Sequence, residues 1–88
     1  MPHIKKTITE ALSLPKEVIP GLPYVTLTGK EEIIIENHKG ILLADSSLMK
    51  IKSSCGIINI TGKSLSVREI SPNYIRVRGN IEKLEFLI

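Results

Sequence analysis

From Tyr24 onward, apolar and polar residues alternate in short runs, and three runs share one layout: Tyr24-Val-Thr-Leu-Thr-Gly29, Ile57-Ile-Asn-Ile-Thr-Gly62 and Tyr74-Ile-Arg-Val-Arg-Gly79, each followed by another alternating stretch. A period of two places every second side chain on one buried face. A glycine that closes such a run supplies positive φ at a turn without a Cβ clash. The pattern therefore predicts strand-turn-strand units, with about eight strands near 24–29, 31–36, 40–44, 47–53, 56–61, 64–70, 74–79 and 81–87. Turn signals fall between them at Gly29-Lys30, Asn37-His-Lys-Gly40, Asp45-Ser46, Ser53-Ser-Cys-Gly56, Gly62-Lys63, Ser71-Pro-Asn73 and Gly79-Asn80. On this reading Gly62→Val destabilises the fold because a β-branched residue does not take positive φ cheaply.

Upstream of Tyr24 the pattern changes. Ile4, Ile8, Ala11 and Leu12 are spaced for one face of a short amphipathic helix over residues 3–14, and Thr7 with Glu10 has capping-box spacing. Pro15, Pro20 and Pro23 then make residues 15–23 a stiff connector. The expected organisation is residues 1–23 as helix and connector, and residues 24–88 as a β domain. The expected fold class is all-β with a short N-terminal helix, an antiparallel meander forming a small sandwich or partial barrel. Gly62 and Gly79 lie seventeen residues apart and Gly29 lies nearly twice that before Gly62, which keeps a short β-solenoid open as the alternative. The N-terminal helix either covers an open end of the sheet or serves as a docking helix. The terminal Leu84, Phe86 and Ile88 either tuck into the chain's own sheet or present an edge to another copy.

At 88 residues the chain is one domain that hides roughly 60–65% of its unfolded surface. With no Trp, one Phe and two Tyr, the core must be aliphatic. The single cysteine, Cys55, has no internal disulfide partner and is expected to be an inert, half-buried thiol. No apolar run reaches the ~18–20 residues needed to span a bilayer, and no signal peptide is evident, so a cytoplasmic location is expected.

Candidate chemistry is sparse. His3 and His38 have no partner at ligand spacing, no Cys-x-x-Cys or His-x-His occurs, and the glycine-rich phosphate loops and nucleophile elbow are absent. Asp45, Glu31 and Glu36 fall at turns or polar strand positions, where a carboxylate is ordinarily solvated. The expectation is no enzyme, no metal and no cofactor. The charge is more informative: 12 Lys plus Arg against 9 Asp plus Glu give +3. Lys50 and Lys52 flank Ile51, and Arg76 and Arg78 flank Val77, so each pair projects from one polar side of its strand and the two pairs suggest a basic stripe. Without aromatic residues to stack bases, nucleic acid is not the expected partner.

The motifs Leu14-Pro-Lys-Glu-Val, Leu22-Pro-Tyr-Val-Thr-Leu-Thr-Gly29, Ile35-Glu-Asn-His-Lys-Gly40-Ile, Ile58-Asn-Ile-Thr-Gly62 and Ile75-Arg-Val-Arg-Gly79-Asn-Ile81 resemble the YabP/YqfC family of small sporulation proteins, the YqfC branch in particular. The resemblance covers about residues 12–87. It implies a protein of endospore-forming Firmicutes that acts in the mother cell, is recruited to the forespore membrane, and works as a structural or accessory interaction module beside a membrane-linked protein of the YqfD type. It supplies no catalytic residues. A homo-oligomer is the other expected association, and membrane contact is expected to be peripheral or through the partner. Asn37 and His38, in a polar turn on a rigid sheet, join Lys50, Lys52, Arg76 and Arg78 as the candidate interaction surface. The alternative is a peripheral binder of an anionic membrane or polymer, using these four basic residues with Lys5 and Lys6.

Overall fold

The structure is a computed structural model that describes residues 21–88; the expected N-terminal helix and most of its connector lie outside the described residues. The alternating runs form six strands, β1 (Tyr24–Thr28), β2 (Glu32–Glu36), β3 (Gly40–Ala44), β4 (Leu48–Ser53), β5 (Gly56–Ile70) and β6 (Tyr74–Leu87). They make one sheet in the order β1-β2-β6-β5-β4-β3, antiparallel throughout. Strands β3 to β6 are a meander, and the β1-β2 hairpin joins on the far side of β6. Antiparallel hairpins of this kind are the meander alternative and not stacked coils.

The expectation of eight strands is corrected to six. The runs 56–61 and 64–70 are halves of β5, and 74–79 and 81–87 are halves of β6. Gly62 and Gly79 do not close turns. They sit where the β5-β6 ladder changes register, between Thr61 and Gly62 and again between Lys63 and Ser66, so they mark a bulged corner inside one long hairpin. Gly62 also lacks the positive φ expected of it. What requires glycine there is space, because a Cβ at Gly62 would stand 2.1 Å from the Asn80 carbonyl oxygen.

A flat β5-β6 hairpin would be about 45 Å long. His38 nevertheless touches Ser71 at its tip, while Gly40, two residues on, pairs with Lys52 and through it with Ile57 at the open end. The hairpin must therefore fold back at the glycine corner, giving two leaves. The first holds β1, β2, the start of β6 and the end of β5; the second holds β3, β4, the start of β5 and the end of β6. Their inner faces share one core of Ile33, Ile35, Met49, Ile51, Ile58, Ile60, Leu65, Ile75, Val77 and Ile81. Each fully buried isoleucine there stabilises by about 1.5–3 kcal/mol.

The leaves follow one plan. Ile35 and Ile33 face Ile75 and Val77 in the first, as Ile51 and Met49 face Ile58 and Ile60 in the second. At the corner, the β1-β2 turn accepts the Gly79 and Ile81 amides on the Glu31 and Lys30 carbonyls, and the β3-β4 turn accepts those of Gly62 and Leu65 on Ser47 and Ser46. The recurrence of Ile57–Gly62 as Tyr74–Gly79 is thus an internal two-fold relation of strands.

Candidate functional site

Three surfaces gather polar side chains. The first is the β2-β3 connection, which must cross between the leaves. Asn37 turns the chain at φ 62; its amide donates to Asn73 O at 2.8 Å and its Nδ2 to Leu22 O at 2.9 Å. The Gly40 amide donates to His38 Nδ1 at 3.1 Å, so that nitrogen is an acceptor and Nε2 carries the proton donated to Ser71 O, 2.8 Å away. His38 therefore clasps the ends of the two leaves together, and Asn37 ties the end of β2 to the β5-β6 turn and to Leu22 within the first leaf. Asn37 stays exposed and His38 is half-buried.

The second surface is the set of basic residues, and the structure does not join them in one stripe. Lys50 and Lys52 lie on β4 opposite Asn59 and Ile57, on the second leaf. Arg76 and Arg78 lie on β6 between β2 and β5, on the first. Arg76 is consumed by ion pairs, Nη1 to Glu32 Oε1 at 3.2 Å and Nε to Glu69 Oε1 at 3.1 Å. The Tyr74 hydroxyl also donates to Glu69. That bond, then Arg76, holds the Glu69 carboxyl below its usual range; the same partner raises Tyr74, and Glu69 followed by Glu32 raises Arg76. Arg78 reaches a carboxylate only at 4.0 Å, sharing Glu32 with Arg76.

The third surface is a polar cleft of about 250 Å³ beside the glycine corner, lined by Glu31, Ser64, Ser66, Arg68, Arg78 and Gly79. Two irregularities in β5 build it. Ser64 takes a left-handed conformation at φ 55, which inserts one residue between the corner and Leu65. A bulge between Val67 and Glu69 sets Glu69 across from Arg76 and leaves Arg68 as the extra residue. Ser66 pairs directly with Arg78, so both project to the outer face. Sequence reasoning named Arg78 but missed Arg68, Ser64, Ser66 and the role of Glu31. The available trace was the pair Arg68-Glu69 between Val67 and Ile70, two polar residues where strict alternation allows one.

Cys55, expected to be half-buried, is exposed in the β4-β5 turn. Among the described residues, no group of three or more His, Cys, Asp or Glu side chains is placed to hold a metal ion, and no helix is long and apolar enough to cross a membrane.

The YabP family model matches residues 22–87, the whole of the β sheet. The chain is also 32% identical over 85 residues to the uncharacterized protein YqfC of Bacillus subtilis (strain 168), covering 97% of this chain and 91% of that one. No solved structure matches the chain significantly. A match over the complete sheet, together with near full-length similarity to YqfC, makes this chain a member of the YabP family.

Proposed function

We propose that the protein is a non-enzymatic accessory module of endospore formation, working in the mother cell by pairing a free sheet edge with a protein partner. The observation that carries this reading is the uncovered side of β6. Strand β2 pairs only with residues 74–78 and the β1-β2 turn takes the Gly79 and Ile81 amides, so from Glu82 on β6 is bonded to β5 on one side and, among the described residues, to no strand on the other. Phe86 and Leu87 are exposed along it. Strand β3 is a second edge, paired on one side only among the described residues, with Leu42 and Leu43 exposed and no charged residue in its five positions. Rows of open backbone donors and acceptors flanked by apolar side chains favour addition of an extended segment.

The sporulation process rests on the family. A membrane-linked protein of the YqfD type is the proposed partner, and through it the forespore membrane is the proposed place of action.

Size-exclusion chromatography with light scattering, run on the full chain alone and mixed with a YqfD-type protein across concentration and salt, tests the proposal. Assembly or complex formation that resists salt and is lost in Phe86→Lys is the expected result. A strict monomer that also fails to capture the YqfD-type protein overturns it.

A further inference from the structure

We propose that the corner cleft is a binding site for a phosphate-type tetrahedral anion, gripped by Arg68 and Arg78 with the hydroxyls of Ser64 and Ser66. This goes beyond the edge-pairing reading and does not depend on it.

The charge arrangement is the first ground. The bulge at Val67 to Glu69 hands Glu69 to Arg76 and leaves Arg68 with no ion-pair partner among the described residues, while Arg78 has only the shared Glu32 at 4.0 Å. Two guanidinium groups therefore face one cleft with a single lining carboxylate, Glu31, and Glu31 makes no ion pair with either arginine among the described residues. Like charges on neighbouring strands repel. An anion between them relieves the repulsion, and the planar guanidinium fork matches two phosphate oxygens at once.

Departure from the internal two-fold is the second ground. The pair Ser66 and Arg78 corresponds, seventeen residues away, to Lys83 and Thr61, which also face each other across the β5-β6 ladder. On that side Lys83 is paired with Glu85 at 3.6 Å, which sits across from Asn59 as Glu69 sits across from Arg76, so the inserted Arg68 has no counterpart there. The second leaf thus has one cation at this place, paired with a carboxylate, and the first has Arg78 together with the inserted Arg68. Both sides carry an extra residue beside the corner, but only the side with Arg68 has the left-handed Ser64, at φ 55, which places a further hydroxyl at the cleft wall.

A titration of the isotope-labelled full chain with inorganic phosphate, against chloride at matched ionic strength and followed by backbone amide NMR, tests the site. Saturable shifts at Ser64, Ser66, Arg68, Arg78 and Gly79 are expected. Arg68→Gln, an exposed position whose thermal melt should match the parent, is expected to weaken binding by at least about tenfold. The double variant Lys50→Gln/Lys52→Gln is expected to bind as the parent does. Shifts equal to those in chloride, shifts spread over the whole surface, or an unchanged affinity in Arg68→Gln overturn the proposal.

A vesicle arm separates the two sources of such an anion. Sedimentation with phosphatidic acid vesicles, in preference to phosphatidylglycerol vesicles of equal charge and dependent on Arg68, identifies a lipid phosphomonoester. Saturable phosphate binding without sedimentation identifies a soluble one.

Discussion

Gly62→Ala isolates what the corner requires of the sequence. The added Cβ would lie 2.1 Å from Asn80 O, and 3.1 Å from both Asn80 C and Leu65 Cδ2. The first distance is roughly 1 Å shorter than real Cβ contacts allow, and its partner is backbone, which a rotamer change does not move. Overpacking of this kind costs about 1–3 kcal/mol. The shift also strains the Gly62 amide bond to Ser47 O, now 3.1 Å, for about 0.5–1.5 kcal/mol more. A loss of about 2–4 kcal/mol is expected, from a total near 5–10 kcal/mol for a domain of this size. That corresponds to a fall in Tm of roughly 10–30 °C.

The control is Gly29→Ala in the β1-β2 turn. There φ is +55 and nothing lies within 4 Å of the new Cβ, so the cost is left-handed strain alone, about 1 kcal/mol. Asparagine separates the mechanisms, because it tolerates the left-handed region but still carries a Cβ. Gly29→Asn should recover part of what Gly29→Ala loses, while Gly62→Asn should be as damaging as Gly62→Ala. Urea and thermal denaturation of the four variants read the difference. A Gly62→Ala protein within about 0.5 kcal/mol of the parent, or one rescued by asparagine, would refute the steric account.

Three further outcomes follow from the polar contacts. His38→Ala removes both bonds of the clasp and should lower stability by about 1–3 kcal/mol, read from urea midpoints with an unchanged m-value. Asp45 accepts the Ser47 and Leu48 amides at 2.9 and 2.7 Å, and these bonds hold its carboxyl below the usual value. The unfolded chain then binds the proton more readily, so this contribution is present above the ordinary carboxylate range and is lost as pH falls through the folded value. Asp45→Asn should flatten the acid limb of a Tm profile below about pH 4, only in part, because Glu69 is shifted in the same direction. Arg76→Gln breaks both ion pairs of a partly exposed side chain and should lower Tm only slightly, an effect that shrinks in high salt; a large, salt-independent loss would mean that the outer ladder holds the leaf together.

Strand identity was legible in the chain, and strand continuity was not. Residues 32–36 and 48–53 follow the alternation closely in burial, because Ile33, Ile35, Met49 and Ile51 enforce the period, and their hairpin partners at 24–28 and 40–44 fall where the runs place them. The halves of β5 and β6 were visible too, yet a glycine after an alternating run looks the same whether it closes a turn or opens a corner. The difference lies in distant carbonyls, those of Ser47 and Glu31, which dock on Gly62 and Gly79. Arg76 shows the same limit. Its outward direction followed from Val77, but its neutralisation by Glu32 and Glu69 depends on a bulge and on a strand forty-four residues away.

The internal two-fold also explains why so much of this chain is silent about chemistry. A hairpin that folds back on itself needs the same parts in each leaf: two inward apolar residues per strand, a corner glycine, and a turn whose carbonyls bind the corner amides. Those demands fix Gly62 with Gly79, Ile58 with Ile75 and Ile60 with Val77, and they leave no freedom there for a site. Freedom exists where the leaves are not constrained to match, at the edges and at residues the two-fold does not require. Arg68 is of the second kind, tied to a bulge in β5 that β6 lacks at its corresponding place. A bulge weakens its ladder locally. An insertion that places Arg68, without an ion-pair partner among the described residues, beside the weakly paired Arg78 is better accounted for by a ligand than by the fold.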